Sequence, residues 1–221
     1  MRLPFTAAEF FDTIRRYNEA VWPAQWGLYA VALAIIALSL RGGPRASRMV
    51  ASGLGLLWLW MGVAYHLTFF RTVNPAATIF GVLFVTQGAM FLWRAVRRRG
   101  QALRGRRDLG GVLGMSMLAY ALVIYPLIGY ALGQRYPAAP TFGLPCPTTI
   151  LTFGVLLWAA RPVPTGLLVI PALWALIATQ AAFAFGVWQD VGLLASAVTT
   201  GAVLWWTRER PLDARPVVHA V

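Results

Sequence analysis

The chain has 221 residues, 59% of them hydrophobic and only 12% charged, which excludes an ordinary water-soluble domain. Its net charge of +12 rests on arginine alone, since lysine is absent, and without lysine a Schiff base is closed to it, so a retinal-linked seven-helix photoreceptor is excluded. A single cysteine excludes an internal disulfide and a Cys-Cys metal motif.

The first 20 residues carry Glu9, Asp12 and Glu19 and lack the apolar core of a secretory signal. Thr6-Ala-Ala-Glu9 has the spacing of a capping box, and Phe10, Phe11, Ile14 and Tyr17 follow on one side of a helix. Residues 1–20 are therefore expected to form an amphipathic helix on the outer surface of a membrane, leading into the first span at Trp22-Pro23.

A bilayer core of about 30 Å needs roughly 20 apolar residues of helix, because backbone amides in hydrocarbon must be bonded within the segment. Seven stretches approach that length: Val21 to Leu40, Met49 to Phe70, Pro75 to Trp93, Leu109 to Leu132, Pro147 to Ala160, Thr165 to Trp188 and Val191 to Thr207. The expected fold is an all-α polytopic transmembrane bundle of about seven spans over residues 21–207, with a cytoplasmic tail at 208–221. The fifth stretch is short, and if Thr141-Phe-Gly-Leu-Pro145 only dips into the membrane the count falls to six.

Fourteen arginines fall in the links after spans 1, 3 and 5 and in the tail; five fall on the other face, at Arg2, Arg15, Arg16, Arg71 and Arg135. Short arginine-rich loops stay cytoplasmic, so the N-terminus is expected outside and the C-terminus inside. The densest run, Arg94, Arg97, Arg98, Arg99, Arg104, Arg106 and Arg107, reads as a topology determinant touching anionic lipid headgroups and not as a nucleic-acid patch.

Two segments share a pattern. Asn74-Pro-Ala-Ala-Thr-Ile-Phe-Gly-Val-Leu83 and Cys146-Pro-Thr-Thr-Ile-Leu-Thr-Phe-Gly-Val-Leu156 each place a polar residue, a proline and small residues before Phe-Gly-Val-Leu, with a one-residue offset. With Gln189-Asp190 at the start of span 7, they suggest three helical hairpins behind an extra first span. Proline near a helix start is also ordinary helix chemistry, which is the competing explanation. Asn74-Pro-Ala invites comparison with aquaporins, but the second copy reads Cys-Pro-Thr and both copies lie on one side of the membrane.

Polar groups inside spans are costly and so mark candidate sites. His66, beside Tyr65, is titratable near neutral pH, and the competing reading is an interfacial histidine bonded to a carbonyl. Cys146 heads the second copy at a helix N-terminus, where a dipole favours thiolate. Asn74, Thr148 and Thr149 open spans 3 and 5, where free amides attract an anion, and Arg71 and Arg135 share that face; simple N-capping competes. Gln180 and Asp190 are further polar groups near the same end, and Gln87 and Thr179 lie within spans. Pro126 and Pro171 are expected to kink spans 4 and 6. No ligand set of His, Cys, Asp and Glu stands out, so no metal and no cofactor is expected and no catalytic residue can be assigned.

Leu3-Pro-Phe-Thr6, Tyr17-Asn-Glu-Ala-Val-Trp-Pro-Ala-Gln25, Tyr65-His66 and Cys146-Pro-Thr-Thr-Ile150 resemble an uncharacterised family of small bacterial multi-span membrane proteins classed as a domain of unknown function. That resemblance spans nearly the whole chain and implies a bacterial inner-membrane setting without an activity. The favoured expectation is binding or transport of a small polar or anionic solute through an outward-facing site at Tyr65, His66, Arg71, Asn74, Cys146, Thr148, Thr149, Gln180 and Asp190. The alternatives are a membrane-embedded metal, redox or catalytic protein using Cys146 and His66, or a non-catalytic partner or sensor subunit. A homo-oligomer is compatible with each of them.

Overall fold

The computed structural model describes residues 4–97, 108–159 and 163–208. Arg98, Arg99, Arg104, Arg106, Arg107 and Arg161, and the tail beyond Arg208, lie outside the described residues. Among the described residues ten α-helices make up an all-α bundle, and the only extended pairing there is one bridge between Phe142 and Leu144.

Helix α1 (Ala7–Ala20) starts at the capping box anticipated above: Glu9 N–H donates to Thr6 Oγ1 at 3.3 Å, and Thr6 N–H donates to Glu9 Oε2 at 2.8 Å. Its apolar side is taken up by protein. Ile14 and Tyr17 are fully buried, and the Trp60 indole N–H donates to the Tyr17 oxygen at 2.7 Å. Burial pushes the Tyr17 phenol up to about 12. Thus α1 lies across one end of the bundle, tied to Trp60 on one side and through Asn18 to the carbonyls of Pro137 and Ala139 on the other.

Helices α2 (Ala24–Arg41), α3 (Pro44–Trp60) and α4 (Ala77–Val96) follow as antiparallel neighbours. α3 runs on through a π-helical stretch, Met61–Leu67, and a 3-10 turn, Phe70–Thr72. The fourth position is helix α5 (Leu109–Ala119), a second π-helical stretch (Tyr120–Ile124) and α6 (Tyr125–Ala131). Pro126 opens α6 directly after that stretch, which accommodates the amide it lacks. Helices α7 (Pro145–Leu157), α8 (Gly166–Ala178), α9 (Gln180–Phe185) and α10 (Val191–Arg208) complete the bundle.

Among the described residues five helical segments are long and apolar enough to cross a membrane: Ala24–Arg41, Pro44–Thr72, Ala77–Val96, Leu109–Ala131 and Gly166–Phe185. Their outward positions hold residues such as Leu33, Ile79, Leu127, Val169 and Leu176, the surface that a helix in contact with lipid presents. Exposed Trp22, Trp26, Tyr136 and Trp188 ring the α1 end, and exposed Trp93, Trp205 and Trp206 ring the other, which makes two aromatic belts.

α7 explains why the fifth stretch is short. Its 13 residues span only about 20 Å, yet Pro145 and every residue from Pro147 to Leu157 are buried. Packed on all sides by protein, this helix has no need to match a bilayer, and irregular backbone before it is tolerated because neighbouring elements enclose it. Gly143, at φ 97°, sits in that segment where a Cβ would strike the Leu28 side chain.

Glycines set the closest helix approaches. A Cβ at Gly55 or Gly88 would lie 3.1 or 2.9 Å from the other's carbonyl oxygen, and at Gly62 or Gly81 3.0 or 3.2 Å. At Gly114 and Gly154, between α5 and α7, both distances would be 2.8 Å. Gly81 and Gly154 are the glycines of the two Phe-Gly-Val-Leu copies, so each copy puts its glycine where its hairpin backbones touch.

Candidate functional site

A cavity of about 420 Å³ opens at the α1 end. Pro4, Phe5, Phe10 and Ile14 of the N-terminal segment roof it, and Phe5 and Phe10 reach the bundle through edge and stacking contacts with Phe70 and Phe185. The segment reaches this position because a helix so patterned buries its aromatic side wherever a complementary surface is offered. The walls come from the α3–α4 turn, α4, the start of α6, the start of α7, and α8 with α9.

The two π-helical stretches both feed this cavity. One carries Tyr65, and the other hands the chain on to Tyr125 at its end. A π turn inserts one residue and re-aims the side chains that follow, and such turns are common at functional positions.

Asp190 is the chemical focus. It is buried, lines the cavity and accepts a hydrogen bond from the Tyr125 hydroxyl at 2.6 Å on Oδ1. The Cys146 thiol lies beside the same carboxylate, and the Trp174 indole lies beside the thiol. The turn that carries Asp190 is held in place: Tyr120 donates to the Gln189 carbonyl at 2.8 Å, and Gln189 Nε2 donates to Gln134 Oε1 at 2.6 Å.

The sequence candidates separate into three groups. Tyr65, Asn74, Cys146, Gln180 and Asp190 all line the cavity, brought together from four parts of the chain. His66 is fully buried behind the wall, packed edge-on against Phe84 and Trp174 at ring separations of 4.6 and 5.0 Å, and neither ring nitrogen has a hydrogen-bond partner. Thr148 and Thr149 are likewise buried in α7 with unpartnered hydroxyls, and neither caps the helix, whose N-cap is Leu144.

The arginines stand apart. Arg71 is exposed and away from the lining, and Arg135 folds back over the Tyr130 ring at 3.8 Å and onto the Tyr130 and Gln134 carbonyls. Asn74 serves its own turn, accepting from Ala76 N–H at 3.1 Å. Among the described residues the lining therefore holds one carboxyl and no arginine or histidine, the opposite polarity to an anion pocket built on Arg71 and Arg135. Among the described residues no three His, Cys, Asp or Glu side chains gather into a set of metal ligands.

Sequence reading did not single out Tyr125, Trp174 or the Phe5–Phe10–Phe185 roof as parts of a site. The signal for Tyr125 was its place directly before Pro126; aromatic residues in apolar helices carry none, because packing uses the same residue types.

No curated protein and no solved structure matches the chain. A family model matches residues 7–214, and the chain belongs to that family, DUF6064, a family of unknown function.

Proposed function

We propose that this is a multi-pass protein of the bacterial inner membrane, with its N-terminus outside and its C-terminus in the cytoplasm, that binds a small, largely apolar solute in the cavity beneath α1 and serves its passage or sensing at the membrane. The observation that carries the reading is the cavity itself: about 420 Å³ of mostly apolar-walled space with a few convergent polar groups, within the size range of small-molecule sites. The orientation is supported by the arginine bias, fourteen against five, and by Arg41, Arg45, Arg48, Arg94 and Arg97, which cluster at the helix ends opposite α1. On this orientation the cavity faces outward.

The solute reading differs in one respect from an anion site, because the lining offers an anion no positive partner among the described residues. The Cys146 and His66 alternative is weakened by their separation: Trp174 touches both, but His66 sits behind the wall.

The test is binding of ethylnaphthalene to the purified protein in a neutral detergent, read by tryptophan fluorescence against empty micelles. Saturable binding that Ala181→Trp, at a small residue of the cavity wall, abolishes by filling the cavity is the expected result. Equal signals from wild type and variant would overturn the reading. A C-terminal green fluorescent protein fusion that fluoresces in intact cells would support the orientation, and a dark but fully expressed fusion would reverse it.

A further inference from the structure

We infer that the solute of this cavity is an amphipathic organic cation, an apolar body carrying a protonated amine that pairs with Asp190. The inference rests on the proposed binding role and adds the charge class.

Three observations converge. First, Asp190 forms no ion pair among the described residues; the ion pairs found there join Asp12, Arg15, Arg16 and Glu19 on α1. A carboxylate taken out of water without a cation is costly, so a buried one that faces a cavity is a place where an incoming positive charge is rewarded. Second, among the described residues no arginine or histidine lines the cavity, and the chain has no lysine, so no cation of the described lining competes for that carboxylate. Third, the surrounding walls are aromatic: Phe5, Phe10, Phe70, Phe185 and Trp174 line the same space. Aromatic faces attract a cation through their quadrupole and accept its apolar substituents equally well.

The groups around Asp190 fit this role. Tyr125 donates to Oδ1 at 2.6 Å and orients the carboxyl without neutralising it. Cys146 is a weak donor at most. An anion would meet the carboxylate with no compensating charge from the described lining, and a neutral hydrocarbon would leave Asp190 without a cationic partner.

The experiment compares three probes of similar shape on the purified wild-type protein in a neutral detergent at neutral pH: naphthylmethylammonium, ethylnaphthalene and naphthoate. The expected order is cation over neutral over anion, with the cation favoured by roughly tenfold over the neutral probe. In Asp190→Asn that ratio should collapse toward one. Ethylnaphthalene binding with no advantage for the cation would overturn this inference while leaving the binding role standing. Failure of ethylnaphthalene to bind would overturn the binding role, and the inference with it. The wild-type series decides by itself should Asp190→Asn fail to fold.

Discussion

Thr141, in the connection between α6 and α7, donates its hydroxyl to Asn18 Oδ1 of α1 at 2.8 Å, across 123 positions of sequence. The Asn18 amide nitrogen meanwhile donates to the carbonyls of Pro137 at 2.6 Å and Ala139 at 2.9 Å. One buried side chain thus satisfies three partners and pins the cavity roof to the loop that leads into α7.

Asn18→Ala removes all three bonds at once and leaves two carbonyls and a hydroxyl short of partners. A loss of about 1–3 kcal/mol in stability is expected, because the cost is that of unsatisfied buried groups rather than of one bond. Thermal unfolding in detergent measures it, and hydrogen exchange should show α1 opening before the rest. Unchanged protection of α1 would mean that its aromatic contacts suffice to hold it.

The crossing of α3 and α4 offers a steric test. Gly88→Val places a Cβ only 2.9 Å from the Gly55 carbonyl oxygen, a backbone atom that cannot yield cheaply. Destabilisation of about 1–3 kcal/mol is expected from overpacking. Gly201→Ala is the control, since nothing lies within 4 Å of its Cβ position, and it should be neutral or slightly stabilising.

His66 is buried with both nitrogens unpartnered in a wall of rings. Replacing such a group by an apolar one of similar shape removes a desolvation penalty. His66→Phe should therefore raise the melting temperature by a few degrees. A lower melting temperature would instead identify His66 as a group that acquires a hydrogen-bond partner in the native membrane.

Glu9 gives the roof a pH dependence. The Thr6 backbone N–H, and then its hydroxyl, donate to the carboxylate and hold it below its ordinary value. A carboxyl depressed in the folded state stabilises it above the unfolded pKa and loses that contribution as pH falls through the folded one. Amide exchange in the first turn of α1 should therefore rise only below the usual carboxylate range. In Glu9→Gln, where the capping geometry survives without the charge, that pH dependence should vanish.

Local chemistry was legible residue by residue. Thr6 and Glu9 spelled the capping box in their spacing, and the apolar stretches marked where helices run, because both signals depend only on neighbours along the chain. The closeness of Asn74, Cys146, Gln180 and Asp190 was anticipated only as far as their placement at one end of the bundle.

What sequence alone determined, then, is a lipid-facing all-helical chain with a candidate polar end, since composition and period respond to solvent. Tertiary structure decided the rest. It enclosed α7 so completely that a 13-residue helix suffices, folded α1 over an aromatic cavity, placed His66 behind the wall, and lined that cavity, among the described residues, with the Asp190 carboxyl and with neither Arg71 nor Arg135. The physical reason is that burial and pairing depend on which helix faces are brought into contact. In an apolar chain every face has much the same composition, so shape at a few glycines and bonds from a few polar groups choose among them.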